Sequence, residues 1–553
     1  MKKLLTAILG IGLLVTLSAK SEAGIFDWFK KGKVEKKVEQ KTEKRLEKKL
    51  GEPQYGGTLI FARGGDSVKL DPIDVTDGES MKATINIFDT LVEYEDGGTA
   101  TKPGLAESWT VSENELEWVF KIRKNVKFHD GTDLNAEAIK FNMDRWRDKE
   151  NKYHTGNFNY WGWMFGGFPG IVKDVVVVDD YTLKMVLTKK SAPFIANLAM
   201  APFGISSPTA IKEYGEDYFK HPVGTGPFKL KEWKMGDKVV LERNDNYWNG
   251  KPYLENVILR SIPDNTARFM ELQTGTIDMM DGLNPNSVPL LKKSKTLKIS
   301  LRPSMNVGYL AMNMDKKPFG DVRVRRAVNH AINKKAIIEA LYAGMAQEAK
   351  NPLPPSLWGY NDSINPYEYN PEKSKKLLAE AGFENGFETK LWAMPVPRPY
   401  MPQPKLIAQA IQADLAKVGI KAEIVTYDWG TYLEKTENGE HDMAFLGWTG
   451  DNGDPDNFIY VLLDKDNTVK GSAGNIAFYK SDELHEKLIA AQVNSDIKVR
   501  TKLYEEAQEI IHNDAPWVPL AHSTPPMGLK SKVHGYIPSP LGIEKLNKVW
   551  KEQ

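Results

Sequence analysis

The chain has 553 residues, of which 41% are hydrophobic and 10% aromatic, so it is long enough for two to four globular domains. It contains no cysteine, which excludes disulfides, a thiol nucleophile and a thiolate metal site. Residues 1–52 carry 13 Lys and Arg against 7 Asp and Glu, and the remainder carries 61 against 66. Because the body of the chain has no basic excess, we expect no nucleic-acid partner.

Residues 1–23 have the pattern of a secretory signal peptide. Lys2 and Lys3 precede an apolar stretch over residues 4–19, which is short for a membrane span, and Ala23 ends a small-x-small cleavage pattern. No cysteine follows, so lipid attachment at that position is excluded. We expect export to a periplasmic compartment, with an uncleaved anchor as the alternative.

Residues 24–54 form a Lys- and Glu-rich segment. Glutamates recur at every fourth position from Glu35 to Glu47, so like charges meet on one face and weaken an isolated helix. This pattern favours a solvated spacer. The alternative is contact of residues 25–52 with an anionic membrane surface, with Trp28 at the interface and the lysines outside it.

The ordered fold is predicted to begin with a strand at residues 55–61. A helical stretch is expected near residues 81–91, and the alternation over residues 116–123 predicts a half-buried strand. Asn135 is a candidate N-cap for a helix that runs through Trp146. The N-terminal half of the body therefore mixes strands and helices.

Further along, three segments predict a strand, a helix and a second strand, at residues 387–394, 404–417 and 421–427. Two strands joined by a helix in this way pair in parallel with a right-handed crossover. Arg398 follows the first of these strands. The sequence therefore places a guanidinium at the carboxyl end of a sheet.

A second strand end carries the opposite charge. The apolar run at residues 443–446 predicts a short buried strand, and a glycine-rich loop at residues 447–458 brings Asp451 just past its end, beside Trp448. Ligands bind at such edges of open α/β sheets. Asp451 and Arg398 on one cleft would hold the ammonium and carboxylate of a zwitterion. A structural Arg–Asp pair and two unrelated surface charges remain alternatives.

Other chemistry is not supported by the motifs. A calcium loop starting at Asp451 would need Gly and Glu where the chain has Asp456 and Leu462. The motifs of zinc proteases, serine hydrolases and P-loop enzymes do not occur. The isolated histidines His129, His441 and His522 are expected to be structural. We expect no metal, no cofactor and no catalysis, with a secreted hydrolase as the rival class.

Several further motifs occur in order along the chain, at residues 103–131, 224–228, 246–253, 306–310, 322–328 and 369–374. In the last of these, Asn370 is a candidate cap and Pro371 a first-turn residue. Together the motifs resemble those of the extracellular solute-binding proteins of family 5, the peptide and nickel receptors of ABC importers.

The resemblance implies an α/β fold of the type II-like, cluster C kind, with two lobes, a hinge and an interlobe ligand cleft. Lobe I is expected to span residues 55–302 in two subdomains, lobe II residues 303–520, and residues 521–553 to return to lobe I. The implied function is capture of dipeptides or short peptides and their delivery to a membrane permease. A monomer is expected.

Residues 393–400 and 448–458 resemble the ligand anchors of the dipeptide receptors in this family. By that resemblance Asp451 takes the α-ammonium group and Arg398 the α-carboxylate, with Trp448, Thr449 and Tyr400 completing the candidate site. A receptor of the same fold for glutathione, a nickel chelate or haem is the alternative. The loop at residues 63–72 departs from those receptors, which leaves the side-chain preference open.

Overall fold

The computed structural model describes residues 52–552. The predicted signal peptide and the spacer up to residue 51 lie outside the described residues. The compact unit that begins at Gln54 contains all of the sheets. Within the described range, none of the helices combines the length and the apolar character that crossing a membrane requires.

A seven-stranded mixed sheet forms the centre of lobe I. The strand Thr58–Arg63 lies in its middle, parallel to both of its neighbours, and the outer pairs are antiparallel. In spatial order the strands are Leu297–Leu301, Pro526–Lys530, Met279–Met280, Thr58–Arg63, Asn256–Ser261, Lys238–Arg243 and Phe228–Lys234. Apolar side chains such as Leu59 and Leu259 are fully buried in its core.

A four-stranded antiparallel sheet forms a second part of lobe I. Its strands, in spatial order, are Ala106–Val111, Glu117–Ile122, Thr182–Leu187 and Val172–Asp179. Phe120 and Ile122 are buried while Lys121 between them is exposed, as the predicted alternation requires. The helix Ala136–Arg147 packs against this sheet, and the predicted cap is confirmed because Asn135 Oδ1 accepts from the amide of Ala138 at 2.9 Å.

Lobe II is built on a six-stranded mixed sheet. In spatial order the strands are Ala346–Glu348, Trp517–Ser523, Asn306–Met312, Met443–Thr449, Glu388–Trp392 and Lys421–Val425. The last three run parallel, so the predicted strand–helix–strand unit is confirmed, with its helix at Pro404–Ala416. Trp392 pairs with Ala444, so the segments that follow these strands leave at the same edge of the sheet.

The chain passes between the two lobes twice. It leaves the seven-stranded sheet after Leu301 and returns to it at Pro526, and the two passages lie side by side because the Arg302 amide donates to the Pro525 carbonyl at 3.1 Å. The Arg302 guanidinium also pairs with buried Glu544 at 2.8 Å. The division of the chain at residues 302 and 520 remains a prediction, while the strand Trp517–Ser523 continues the lobe II sheet beyond residue 520.

Other helices and short hairpins cover the sheets. The predicted cap of one helix is confirmed, since Asn370 Oδ1 accepts from the Lys373 amide at 2.9 Å. Two two-stranded sheets pair Val92–Tyr94 with Thr101–Pro103 and Val533–His534 with Trp550–Lys551. The other α-helices of the described residues are Gly78–Ile87, Asn159–Phe165, Phe194–Leu198, Pro208–Tyr214, Asn265–Thr274, Val288–Lys293, Val322–Ala331, Lys334–Leu341, Pro371–Glu380, Trp429–Glu437, Asp456–Leu463, Asp482–Gln492 and Ile497–Asp514.

Candidate functional site

A cavity of about 110 Å³ lies between the two lobes. All five residues predicted for the site line it: Arg398, Tyr400, Trp448, Thr449 and Asp451. They meet there because the parallel strands Glu388–Trp392 and Met443–Thr449 end at one edge of the sheet. The structure thus brings the predicted residues together, and their role in binding stays a prediction.

Asp451 contributes a carboxylate without a cationic partner. Its amide donates to Asn457 Oδ1 at 2.9 Å, and its Oδ2 accepts from the Tyr160 hydroxyl at 2.9 Å and from Asn457 Nδ2 at 3.4 Å. Across residues 52–552, no Lys, Arg or His nitrogen lies within 4.0 Å of it. Burial raises the pKa of Asp451 to about 7, although Tyr160 and Asn457 oppose the shift. The carboxylate therefore faces the interlobe cavity, where a cation would stabilise its ionised form.

The other aspartates of this loop have structural roles. Asp454 Oδ1 accepts from Arg500 Nη2 at 2.7 Å, and Asp456 accepts from Gln492 Nε2 at 3.0 Å. Both carboxylates are at least 90% buried, and neither lines the interlobe cavity. Of the three aspartates of this loop, Asp451 is therefore the one available to a ligand there.

Arg398 lies in the turn that follows the strand Glu388–Trp392. Backbone bonds with Met401 close this turn, and the guanidinium stacks over the Trp429 ring at 4.8 Å. Nη1 donates to Glu79 Oε1 at 2.8 Å, while Nε is buried without an acceptor among the described residues. Burial alone would lower the pKa of Arg398, but Glu79 beside it raises the pKa above its ordinary value. The guanidinium stays charged, and its Nε–H is free among the described residues to donate to a ligand oxygen.

Glu79 was not predicted from the sequence. It lies in the first turn of the lobe I helix Gly78–Ile87, whose cap is Asp77, and is 2% exposed. Lys82 Nζ lies 3.2 Å from Glu79 Oε2 and also bonds Asp281, which forms a buried network of alternating charges. An acidic residue in a first helical turn is common, so nothing in the sequence marks Glu79 as the partner of Arg398.

Aromatic rings form one wall between the two charged ends. Trp448 stacks with Tyr160, with ring centroids 6.2 Å apart, and meets Trp163 edge-on at 6.3 Å. The Trp448 indole N–H donates to Asn457 Oδ1 at 2.9 Å, which fixes the ring beside Asp451. Tyr160 and Trp163 come from the lobe I helix Asn159–Phe165, so both lobes supply the wall.

Two glycines make room for Tyr400. Gly308 and Gly447 are paired in register on neighbouring strands. A Cβ on Gly447 would lie 2.3 Å from the Tyr400 ring, and one on Gly308 would lie 2.8 Å from its carbonyl oxygen. Any larger residue at either position would push Tyr400 away from the sheet and change the floor of the cavity.

The C-terminal segment closes another side of the cavity. Leu541 and Ile543 line it after the chain has returned to lobe I. The same two residues and Asp451 also line a neighbouring cavity of about 120 Å³. Asp451 therefore lies where the two cavities adjoin.

Of the histidines expected to be structural, His441 and His522 are buried and His129 is half-buried, and each ring bonds a backbone carbonyl at 2.8–2.9 Å. Burial lowers the pKa of each to about 4, so the rings are neutral. The structural prediction is confirmed for these three, which are His129, His441 and His522.

One group of potential metal ligands occurs among the described residues, formed by Asp464, Asp466 and His485. His485 Nδ1 lies 3.0 Å from Asp464 Oδ2, the distance of an ordinary hydrogen bond. The group does not line the interlobe cavity.

Comparison of the sequence with known proteins finds a matching family and similar relatives. Residues 100–470 match the family described as bacterial extracellular solute-binding proteins, family 5 Middle. A dipeptide-binding protein of Escherichia coli is 40% identical over 504 residues, covering 88% of this chain and 93% of that protein. Heme-binding protein A of Haemophilus influenzae is 40% identical over 508 residues, covering 88% and 91%.

A solved structure shares the fold. It is an ABC transporter-associated periplasmic binding protein from Helicobacter pylori in complex with the peptide STSA, with a TM-score of 0.86 and 41% identity over 90% of this chain and 99% of that chain. The fold, the ordered motifs and these matches agree, and the chain belongs to the bacterial extracellular solute-binding proteins of family 5.

Proposed function

We propose that this chain is the substrate-binding component of an ABC importer and that it captures dipeptides or short peptides in the interlobe cavity. The observation that carries the proposal is the pair of charged groups in this cavity. Among the described residues, Asp451 is a half-buried carboxylate that forms no ion pair, and Arg398 is a buried guanidinium whose Nε–H has no acceptor. The Escherichia coli and Helicobacter pylori relatives, one a dipeptide-binding protein and one solved with a peptide, support this class of ligand.

In this proposal the ligand is held by its two ends. Its α-ammonium group replaces the missing cation at Asp451 and its α-carboxylate accepts from Arg398. Burying two ligand charges is tolerable only because each one meets an opposite charge. The Tyr160 and Trp448 rings pack against the backbone and side chains between the ends.

The mechanism is capture and not turnover. Ligand contacts with both lobes favour the closed form, and the closed form then docks on a membrane permease. We also propose export to the periplasm through the predicted signal peptide and action as a monomer. Incubation with dipeptides should release no free amino acids above background, and protein-dependent release would favour a hydrolase instead.

The haem-binding relative makes haem a second candidate ligand. No histidine lines the cavity in the described part of the chain, so the lining there offers no imidazole ligand for haem iron. Native mass spectrometry of the purified protein separates the candidates, because a co-purifying dipeptide, glutathione, nickel chelate or haem differs in mass. A predominant haem adduct would contradict the peptide proposal.

Calorimetry with blocked ligands tests the two-ended site directly. A free dipeptide should bind more tightly than its N-acetylated or C-amidated form, because each block removes one of the two charges. Asp451→Asn should weaken binding by roughly 3–5 kcal/mol, the cost of leaving one side of a buried pair uncompensated. That is on the order of a hundredfold or more in Kd. Equal affinity for free and blocked dipeptides would rule the site out.

A further inference from the structure

A second carboxylate lines the interlobe cavity without a cationic partner. Glu437 is the last residue of the helix Trp429–Glu437 in lobe II. Its contact with lobe I is a long hydrogen bond from Asn159 Nδ2 to Oε2, at 3.4 Å. The lysine nearest in sequence, Lys435, pairs with Glu440 at 2.6 Å instead. Among residues 52–552 no Lys, Arg or His nitrogen lies within 4.0 Å of Glu437.

Asn159, which faces Glu437, has an amide oxygen that accepts no hydrogen bond from the described residues. Asn159 is 6% exposed, and its Oδ1 is buried with no hydrogen-bond partner among the described residues. A buried amide oxygen left in this state costs free energy, as does an unpaired carboxyl group. Burial, together with Asp74 and Glu434 nearby, raises the pKa of Glu437 to about 8. The Glu437 carboxyl group and the Asn159 amide oxygen lie on opposite lobes, and a single group with several N–H donors could bond both of them.

The two cations that line the cavity among the described residues, Lys82 and Arg398, form no ion pair with Glu437 and are paired with other acids. Lys82 is bound to Glu79 and Asp281, and Arg398 is bound to Glu79. Asp77, the remaining acid of the lining, caps its own helix and accepts three hydrogen bonds from Glu79 and Ser80. Of the acids that line the cavity within residues 52–552, Asp451 and Glu437 are therefore the two without a cationic partner.

Trp163 adds a surface suited to a cation. It lines the cavity and, together with Asn159, a groove of about 790 Å³ that reaches the surface. An ammonium or guanidinium group beside an indole ring gains attraction from the ring quadrupole. A long basic side chain also needs room for its methylene stem, which the adjoining groove provides.

We propose that Glu437 and Asn159 form a subsite for a basic side chain, so that the cavity selects short peptides that carry Lys or Arg. The inference rests on the proposed function and names its substrate class. A peptide with one free α-ammonium and one basic side chain supplies the two cations that Asp451 and Glu437 lack. Glu437 is thereby a specificity-determining residue of the second lobe.

The test compares dipeptides that differ only in charge. Lys-Ala and Ala-Lys are titrated calorimetrically beside the same dipeptides with norleucine, which has a similar apolar stem and no ammonium group. Wild-type protein should bind at least one lysine dipeptide about tenfold more tightly than its norleucine counterpart, the effect of one charge-assisted hydrogen bond. Glu437→Gln should reduce this ratio to about one.

Glu384→Gln is the matched control, since Glu384 is an exposed glutamate of lobe II that does not line the cavity and does not contribute to the pKa of Glu437. It should keep the wild-type ratio, and thermal melts check that both variants fold. The ratio is insensitive to a general loss of affinity. A ratio near one in the wild type, or an unchanged ratio in Glu437→Gln, overturns the subsite.

The outcome also separates this inference from the proposed function. If Ala-Ala binds and its N-acetyl form does not, while lysine brings no advantage, the two-ended site stands and the basic subsite falls. If none of the dipeptides binds, both proposals fall together.

Discussion

At the scale of single residues, the site holds charges that the folded protein alone does not neutralise. Asp451 and Glu437 both have pKa values raised by burial, to about 7 and about 8. An acid whose pKa is raised by folding contributes stability that is fully present below the unfolded value and is lost as the pH rises through the folded value. The empty site is therefore less stable at pH 8 than at pH 5 through these two groups.

Asp451→Asn should stabilise the ligand-free protein at pH 8 while it weakens ligand binding. The amide keeps an acceptor for Tyr160 and removes the unpaired charge, so we expect a gain of roughly 1–3 kcal/mol in the free energy of unfolding. The gain should shrink at pH 5, where Asp451 is protonated. Urea denaturation at both pH values measures it, with Asp180→Asn on the exposed surface as control. Lower stability of Asp451→Asn at pH 8 would contradict this account.

The affinity for a neutral dipeptide such as Ala-Ala should depend on pH through the same carboxyl group. Binding of an ammonium group requires ionised Asp451, so below about pH 7 the complex forms with release of a proton. The Kd should rise by about tenfold for each pH unit below 7 and level off above it. Calorimetry in buffers of different ionisation enthalpy counts the proton. A pH-independent Kd between 5 and 8 would show that Asp451 does not meet the ammonium group.

At the scale of elements, the strand ends that carry the site residues were predictable from the sequence. The helix that holds the Asp451 loop in place was not. Hydrophobic runs, glycines and the strand–helix–strand rule place Arg398 and Asp451 at one sheet edge, and both line the cavity. The helix Ile497–Asp514 supports the Asp451 loop from a distant part of the chain. Arg500 on this helix bonds Asp454 at 2.7 Å and stacks over Trp358 at 5.0 Å. An arginine in an amphipathic helix gives no sign of such a partner.

Arg500→Met should destabilise the fold and loosen the ligand loop. The change leaves Asp454 buried without its cation, which costs roughly 3–5 kcal/mol. The double variant Arg500→Met with Asp454→Asn should recover part of the loss, because the orphaned charge is gone. Denaturation curves give the stabilities, and calorimetry gives the dipeptide affinity. A loss below about 1 kcal/mol, the range of exposed pairs, would show that the pair does not hold the loop.

At the scale of the whole molecule, the site exists only where the lobes meet. Tyr160 bonds Asp451 across 291 residues of sequence, and Glu79 bonds Arg398 across 319. Asn452 joins Asn197 at 2.8 Å in the same way. Local patterns predict the lobe II half of the cavity because it lies on neighbouring strands. The lobe I half depends on how the two lobes face each other, which no local pattern specifies.

Closure should depend on the Glu79–Arg398 pair when no ligand is present. Glu79→Gln removes the buried partner of Arg398 in lobe I, so the ligand-free protein should shift towards the open form and dipeptide affinity should fall. Because the chain has no cysteine, Lys231→Cys and Lys335→Cys provide one exposed dye position in each lobe for energy-transfer measurements. Glu113→Gln on the surface is the control. Equal transfer efficiencies in Glu79→Gln and in the parent would contradict the prediction.

The N-terminal segment is predicted to act apart from the site. Deletion of residues 25–52 should leave dipeptide affinity and Tm unchanged if the segment is a spacer. Co-sedimentation with anionic vesicles tests the membrane alternative, and salt-sensitive binding that is lost on deletion would support it. A large loss of cooperative unfolding would show that the segment belongs to the fold.

The cavity carries an indole at each of its charged ends. Trp429 lies under the Arg398 guanidinium, and Trp448 is tied through Asn457 to Asp451. The fluorescence of an indole depends on the charge and water beside the ring. A ligand carboxylate at Arg398 should therefore change the fluorescence of Trp429, and a ligand ammonium at Asp451 should change that of Trp448. Trp429→Phe and Trp448→Phe each silence one reporter among the 14 tryptophans of the chain. Stopped-flow fluorescence of the two variants therefore shows which end of the ligand binds first, without any added label.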